Sequence, residues 1–238
     1  MFDDKSPMDY PKPSELIKYL IDSITYDEKD AIILDFFSGS GTTAHSLFKL
    51  NNEDGGNRKF ILVQIPEGTD EKSEAYKLGY KNICEIGKER IRRSGDKIVE
   101  ESGNKDLDIG FKVFKLDSSN FEKWDPDYNN IQQSLTIDQM KKERTNEDLV
   151  YEIMLKYGID LALPIEEHGN IYSIGFGALI VCLDDNIKKD ITKDILKLIK
   201  GSSISRVIFK DSGFASDADK TDIKEVLKIN NVDEFITI

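Results

Sequence analysis

Histidine is nearly missing from this chain: His45 and His168 are the only two among 238 residues, and they lie far apart. The two cysteines, Cys84 and Cys182, are equally scattered. No pair of these soft ligands has the spacing of a zinc site, so no metal centre is expected. Each cysteine sits inside an apolar periodic segment and reads as a buried thiol in a reducing, cytoplasmic compartment. No apolar run approaches the roughly 20 residues of a membrane span. The first residues, with Asp3, Asp4, Pro11 and Pro13, lack the pattern of a signal peptide. A soluble, cytoplasmic chain with no membrane partner is expected.

Positive charge is also in deficit. There are 33 Lys and Arg against 45 Asp and Glu, a net charge of −12. Duplex binding depends on Lys and Arg neutralising phosphates, so the surface as a whole is not a nucleic-acid platform. The one dense basic stretch, Lys88-Glu89-Arg90-Ile91-Arg92-Arg93, reads first as a solvated helix end, where cations also suit the dipole, with a phosphate contact as the alternative. What the chain has in quantity is apolar and aromatic mass, 39 % hydrophobic with 12 Phe and 9 Tyr. That is enough for one large core or two small ones.

The apolar pattern alternates between helix and strand. Pro13 to Ser23 carries Leu16, Ile17, Leu20 and Ile21 on a helical stripe behind a starting proline. Strands are expected at 31–37, 59–65 and 111–116, and helices at 42–51 and 73–94, with polar loops at 52–58 and 95–108. This succession implies a parallel sheet of the doubly wound α/β type. Residues 117–147 are polar and hold Trp124, the only tryptophan. Beyond them, a helix at 148–157, one or two strands within 171–183, a helix at 187–200, a strand at 204–209, a helix at 217–229 and a strand at 234–238 describe a second, smaller α/β unit. The expected division is 1–116 and 117–238.

The most specific segment is Leu34-Asp35-Phe36-Phe37-Ser38-Gly39-Ser40-Gly41-Thr42-Thr43, which follows the apolar Ala31-Ile32-Ile33. It reads as a buried strand, a two-glycine turn and a helix start. Gly39 and Gly41 permit backbone angles that a Cβ forbids. Thr42 and Thr43 suit a helix N-terminus, whose free N–H groups favour negative charge. Asp35 stands near the carboxyl end of the strand, where open α/β sheets hold their ligands. A carboxylate there suits a ligand with an ammonium group and repels a pyrophosphate. Gly39 to Ala44 nevertheless satisfies a GxGxxA spacing, so a dinucleotide-binding oxidoreductase stands as an alternative. At the end of the second strand, Glu67 is the expected acceptor for ribose hydroxyls, with Gln64 close by.

The loop resembles that of the amino-methylating DNA methyltransferases, which bind S-adenosylmethionine. Asp9-Tyr10-Pro11-Lys12-Pro13-Ser14-Glu15-Leu16 resembles the element that precedes it in those enzymes. The resemblance implies that Lys12 faces the methionine carboxylate and that Pro13 fixes the helix entry beside the cofactor strand. Over essentially the whole chain, the order of segments is similar to the carboxyl-terminal part of the modification subunit of type III restriction–modification systems. Further matching segments are Lys88-Glu89-Arg90-Ile91-Arg92-Arg93, Gly110-Phe111-Lys112-Val113-Phe114, Asp117-Ser118-Ser119-Asn120-Phe121, Trp124-Asp125-Pro126, Glu147-Asp148-Leu149, Tyr172-Ser173-Ile174-Gly175 and Lys210-Asp211-Ser212-Gly213-Phe214.

That resemblance implies a Rossmann-like methyltransferase fold and methyl transfer to an adenine amino group in double-stranded DNA. It also implies assembly with another modification subunit and with a restriction subunit. The family's catalytic Asp-Pro-Pro-Tyr has no counterpart here. The near match Asp125-Pro126-Asp127-Tyr128 follows a polar segment rather than a buried strand, and Asp127 replaces an apolar ring with a charge. Asp125 and Tyr128 therefore read as an Asp-Pro turn. The expectation is a cofactor-binding part of a DNA adenine methyltransferase, inactive alone, with 117–238 serving assembly. A purely non-catalytic assembly module is the other alternative.

Overall fold

A computed structural model describes residues 7, 11–121, 141, 143–199, 206–232 and 234–238, and the chain divides into two units after Phe111. Asp9, Tyr10, Trp124, Asp125, Asp127 and Tyr128 lie outside the described residues.

In the first unit, Pro13 holds φ at −63° and helix α1 (Ser14–Thr25) begins directly behind it. Strand β1 (Ile32–Asp35) leads through the glycine loop into α2 (Thr42–Asp54). That helix ends on Gly55, whose left-handed backbone lets its N–H return to Asn51 O. Strand β2 (Lys59–Leu62) then pairs parallel with β1, with Ile33 opposite Phe60 and Asp35 opposite Leu62. Arg58, 2 % exposed, locks the corner. Its Nε and Nη2 donate to Thr25 Oγ1 and O, both at 2.8 Å, and its Nη1 donates to Asp54 Oδ2 at 3.0 Å. The ends of α1 and α2 are thus fixed against the start of β2.

The two strands are covered on one face only. Phe60 and Leu62 pack with Ala44, Phe48, Ile91 and Ile98. The alternate residues Ile32, Leu34, Ile61 and Val63 are 50 to 62 % exposed. Side chains alternate across a strand, so this is a second, apolar and uncovered face.

Three sequence expectations change between residues 73 and 116. The single helix at 73–94 is two, α3 (Glu74–Lys77) and α4 (Ile83–Ser102). Gly79 at φ 94° breaks the first, and Asn82 restarts the second by accepting the Glu85 N–H at 3.1 Å. Helix α4 then continues through the expected loop at 95–108 as far as Gly103. Gly95 does not stop it, because the missing side chain makes room for Ile109: a Cβ there would lie 2.9 Å from Ile109 Cβ. Finally, 111–116 is not a strand. Lys112 Nζ donates to Leu161 O at 2.7 Å and the Phe114 ring meets the Tyr151 ring edge-on, so these residues are fixed by side chains rather than by a ladder. Among the described residues the parallel sheet has two strands.

The second unit opens on α5 (Asn146–Lys156), started by a reciprocal Thr145–Asp148 capping box. A five-stranded sheet follows, in the order β3 (Ile165–His168), β4 (Ile171–Ile174), β5 (Leu179–Cys182), β6 (Arg206–Phe209) and β7 (Glu234–Thr237). The first two neighbour pairs are antiparallel; β5–β6 and β6–β7 are parallel, joined through α6 (Thr192–Leu198) and α7 (Asp217–Ile229). Helix α5 covers Tyr172, Ile174, Leu179, Val181 and Ile208. Helices α6 and α7 cover Ile180, Cys182, Val207 and Phe209 from the opposite face. Strand β3 was not anticipated, because Glu166, Glu167 and His168 are exposed on an edge and dilute the apolar signal. Among the described residues no helix is long and apolar enough to cross a membrane.

Candidate functional site

The Asp35 side chain ties the glycine loop at two points. Asp35 Oδ1 accepts the Phe37 N–H at 3.1 Å, and Asp35 Oδ2 accepts the Thr43 hydroxyl at 2.6 Å. A single carboxylate therefore spans from the loop's first turn to the first turn of α2. The end of β2 supplies a second tether. Val63 O accepts the Ser38 N–H at 3.2 Å, and Gln64 Oε1 accepts the Gly39 N–H at 2.8 Å. Helix α2 starts on Gly41 in the left-handed region with no side-chain cap. Its first N–H groups, the positive end of the helix dipole, are thus left for another acceptor. Phe36 and Phe37 flank the loop at 62 and 79 % exposure, with ring centroids 5.1 Å apart.

Helix α4 backs the loop. A Cβ on Gly41 would lie 3.1 Å from Ile91 Cγ1 and 3.3 Å from Gly87 O, and a Cβ on Gly87 would lie 3.2 Å from Gly39 O. The two glycines let loop and helix backbones touch. The missing side chain of Gly41 makes room for α4. The open side belongs to Gly39, where a Cβ would meet only Phe37 O, at 4.0 Å.

Arg90 also comes from α4. It is 8 % exposed, and its Nη1 donates to Ser40 Oγ at 2.6 Å and Thr42 Oγ1 at 2.7 Å. The basic stretch is therefore not a solvated helix end: it lies in the middle of α4, and Arg90 turns inward. Arg92 and Arg93 instead share Glu89 near the surface. His45 on α2 is buried with Nδ1 unpartnered, and burial first, then the Lys49 and Arg90 charges, pushes its pKa down to about 4. It is neutral at neutral pH.

The structure gathers Asp35, Ser38, Gly39, Gly41, Thr42, Thr43 and Gln64 into one hydrogen-bonded loop, with Phe36 and Phe37 on its rim. Lys12 and Pro13 are exposed. Among the described contacts nothing ties the Lys12 side chain to the loop. The start of α1 is nonetheless held to α2, where the Ser46 hydroxyl donates to Ser14 O at 2.8 Å and Lys49 Nζ donates to Ser14 Oγ at 3.0 Å. Glu67 is exposed, and its described hydrogen bonds are those of its backbone, including acceptance of the Ile83 N–H by its carbonyl. Sequence reasoning missed Gly87 and Arg90. The available signal was their place on the apolar stripe of α4 with Ile86, Ile91, Ser94 and Ile98. No cluster of three metal-ligating side chains occurs among the described residues.

A glycine loop of this kind between a parallel strand and a helix fits the class to which sequence comparison leads. Residues 4–92 match the profile of a DNA methylase family of the N6 and N4 type. The chain is related to the Mod-subunit DNA methylases of type III restriction–modification enzymes. It is 45 % identical over 108 residues to the StyLTI Mod subunit of Salmonella typhimurium, covering 45 % of this chain and 16 % of that protein. It is 31 % identical over 222 residues to the EcoP15I Mod subunit of Escherichia coli, covering 90 % of this chain and 33 % of that protein. A type II methyltransferase of Klebsiella pneumoniae, M.KpnI, is 41 % identical over 88 residues, 37 % of this chain and 21 % of its own length. The chain thus spans a third or less of the length of each of these relatives.

Proposed function

We propose that the first unit is the S-adenosylmethionine-binding part of a Rossmann-like DNA adenine methyltransferase of the type III restriction–modification class. The observation that carries this is the loop itself. Asp35 holds it shut with two hydrogen bonds, yet each carboxylate oxygen keeps a lone pair for a ligand ammonium. The uncapped start of α2 offers N–H groups to a ligand carboxylate. One ligand group of each sign, a few residues apart, describes the amino-acid end of S-adenosylmethionine and not a pyrophosphate. Gln64, already bonded to the loop, and Glu67, the only acid of the pair, are the polar groups for the ribose.

The uncovered sheet face supports the further reading that this chain supplies the cofactor half only. Purely parallel sheets are normally covered on both faces. Ile32, Leu34, Ile61 and Val63 are not. Polypeptide equivalent to the rest of the longer relatives would cover them, and would bring the adenine-binding Asp-Pro-Pro-Tyr loop and the target-recognition region. Double-stranded DNA, a second modification subunit and a restriction subunit would then be partners of that larger assembly, with the second unit serving its contacts. Methyl transfer needs an extruded base held in a pocket. The chain alone therefore binds cofactor without methylating DNA.

Calorimetric titration tests the reading. S-adenosylmethionine should bind near the micromolar range, about −8 kcal/mol, and NAD should give no heat. Binding of NAD in place of S-adenosylmethionine would favour dinucleotide chemistry and contradict the proposal.

A further inference from the structure

A buried cation ordinarily has an acidic partner, because removing it from water is costly and an opposite charge offsets the cost. Arg90 has none. Among the described residues no carboxylate pairs with it, its Nε has no hydrogen-bond partner, and its polar contacts are two neutral hydroxyls. Burial accordingly depresses its pKa, with no opposing contribution from a neighbouring acid. Its location adds to the imbalance. Ser40 and Thr42 stand on either side of Gly41, the N-cap of α2, so the guanidinium sits beside the positive end of a helix dipole. Two like-signed sources converge on one end of the loop, and among the described residues no carboxylate is bonded to the guanidinium.

The hydroxyls add direction. Each accepts from the guanidinium through its oxygen and therefore has its own proton to give elsewhere. No described hydrogen bond uses either proton. Ser40 and Thr42 are thus kept as donors next to the free N–H groups of α2.

We infer that Arg90 is a positioning residue for a ligand carboxylate: it holds Ser40 and Thr42 around Gly41, and its unpaired charge beside the α2 N-terminus is balanced when the amino-acid end of the ligand binds. This deepens the cofactor reading above and rests on it. It also moves the main source of positive potential from Lys12, which is exposed and has no described tie to the loop, to α4. Arg90 itself does not contact the ligand; it acts through the loop.

The test uses the full chain and two ligands that differ in one group, S-adenosylmethionine and its decarboxylated analogue. The parent should bind the first more tightly by about tenfold or more, the scale of one charge-assisted contact. Arg90→Met should lower affinity for S-adenosylmethionine by about tenfold, and for the analogue by less than about threefold. Arg90→Lys keeps the charge and should keep the preference, so it decides the matter if Arg90→Met fails to melt cooperatively. A parent without preference would overturn the inference. So would equal loss of both ligands in Arg90→Met, as a merely structural role requires, or loss of preference in a folded Arg90→Lys. If the parent binds neither ligand, the cofactor reading falls and this inference with it. Binding with the wrong selectivity sinks the inference alone.

Discussion

Replacing Gly41 with valine is expected to remove S-adenosylmethionine binding, lowering affinity by at least about a hundredfold, roughly 3 kcal/mol. Two costs combine. Gly41 has φ 73°, a region where a β-branched residue is strained by about 1–3 kcal/mol. Its new side chain would also meet Ile91 Cγ1 at 3.1 Å and Gly87 O at 3.3 Å, and overpacking of this kind costs about 1–3 kcal/mol more. Gly87 O belongs to the backbone of α4 and cannot rotate away, so the loop must move instead. Movement there breaks the Arg90 contacts to Ser40 and Thr42 and misplaces the first N–H groups of α2. Thermal melts should show a lower midpoint as well, since the damage begins in packing. Retained affinity in a folded Gly41→Val would show that the ligand does not use this loop.

The second large effect belongs to Asp35. Asp35→Ala removes the acceptor for both the Phe37 N–H and the Thr43 hydroxyl, as well as the carboxylate proposed to face the ligand ammonium. A loss of about a hundredfold or more in affinity is expected, from one charge-assisted contact and a loosened loop together. Asp35→Asn separates the two roles. Its amide oxygen still accepts the Phe37 N–H and its amide nitrogen can donate to the Thr43 hydroxyl oxygen, so both tethers of the loop are kept, the second with its direction reversed, while the charge is gone. Affinity should fall by roughly tenfold or more with little change in melting temperature. Equal binding by parent and asparagine variant in the same calorimeter would place the ammonium elsewhere.

Local chemistry was legible in the sequence, and distant packing was not. Helix α7 runs over 217–229 as its pattern indicates, because Ser216 caps it and Ile223 and Leu227 anchor one face. The loop and its Asp35 could be read because strand, glycines and threonines are contiguous. The break at Gly79 was hidden by the apolar residues around it, which keep a helical spacing through a turn where the helix stops. In the sequence alone Gly95 looks like a terminator of α4, because the packing of Ile109 on it is not local. The strand expected at 111–116 is rich in Phe and Val, but no described strand pairs with it. The sequence places Arg90 in solvent, where charge usually lies, because its contact with Ser40 spans 50 residues of sequence. Gln64 and Glu67 illustrate the same boundary: both are polar groups beyond β2, and only the fold shows Gln64 bonded to Gly39.

The most direct measurement is amide hydrogen exchange on the intact chain, with and without S-adenosylmethionine. The account predicts slower exchange at Phe36 to Thr43 and at Gln64 when ligand is present, with exchange across β6 unchanged. The first N–H groups of α2 should show the largest change, because they have no cap in the free protein. Protection that appears in the second unit, while the loop from Phe36 to Thr43 exchanges as before, would contradict it.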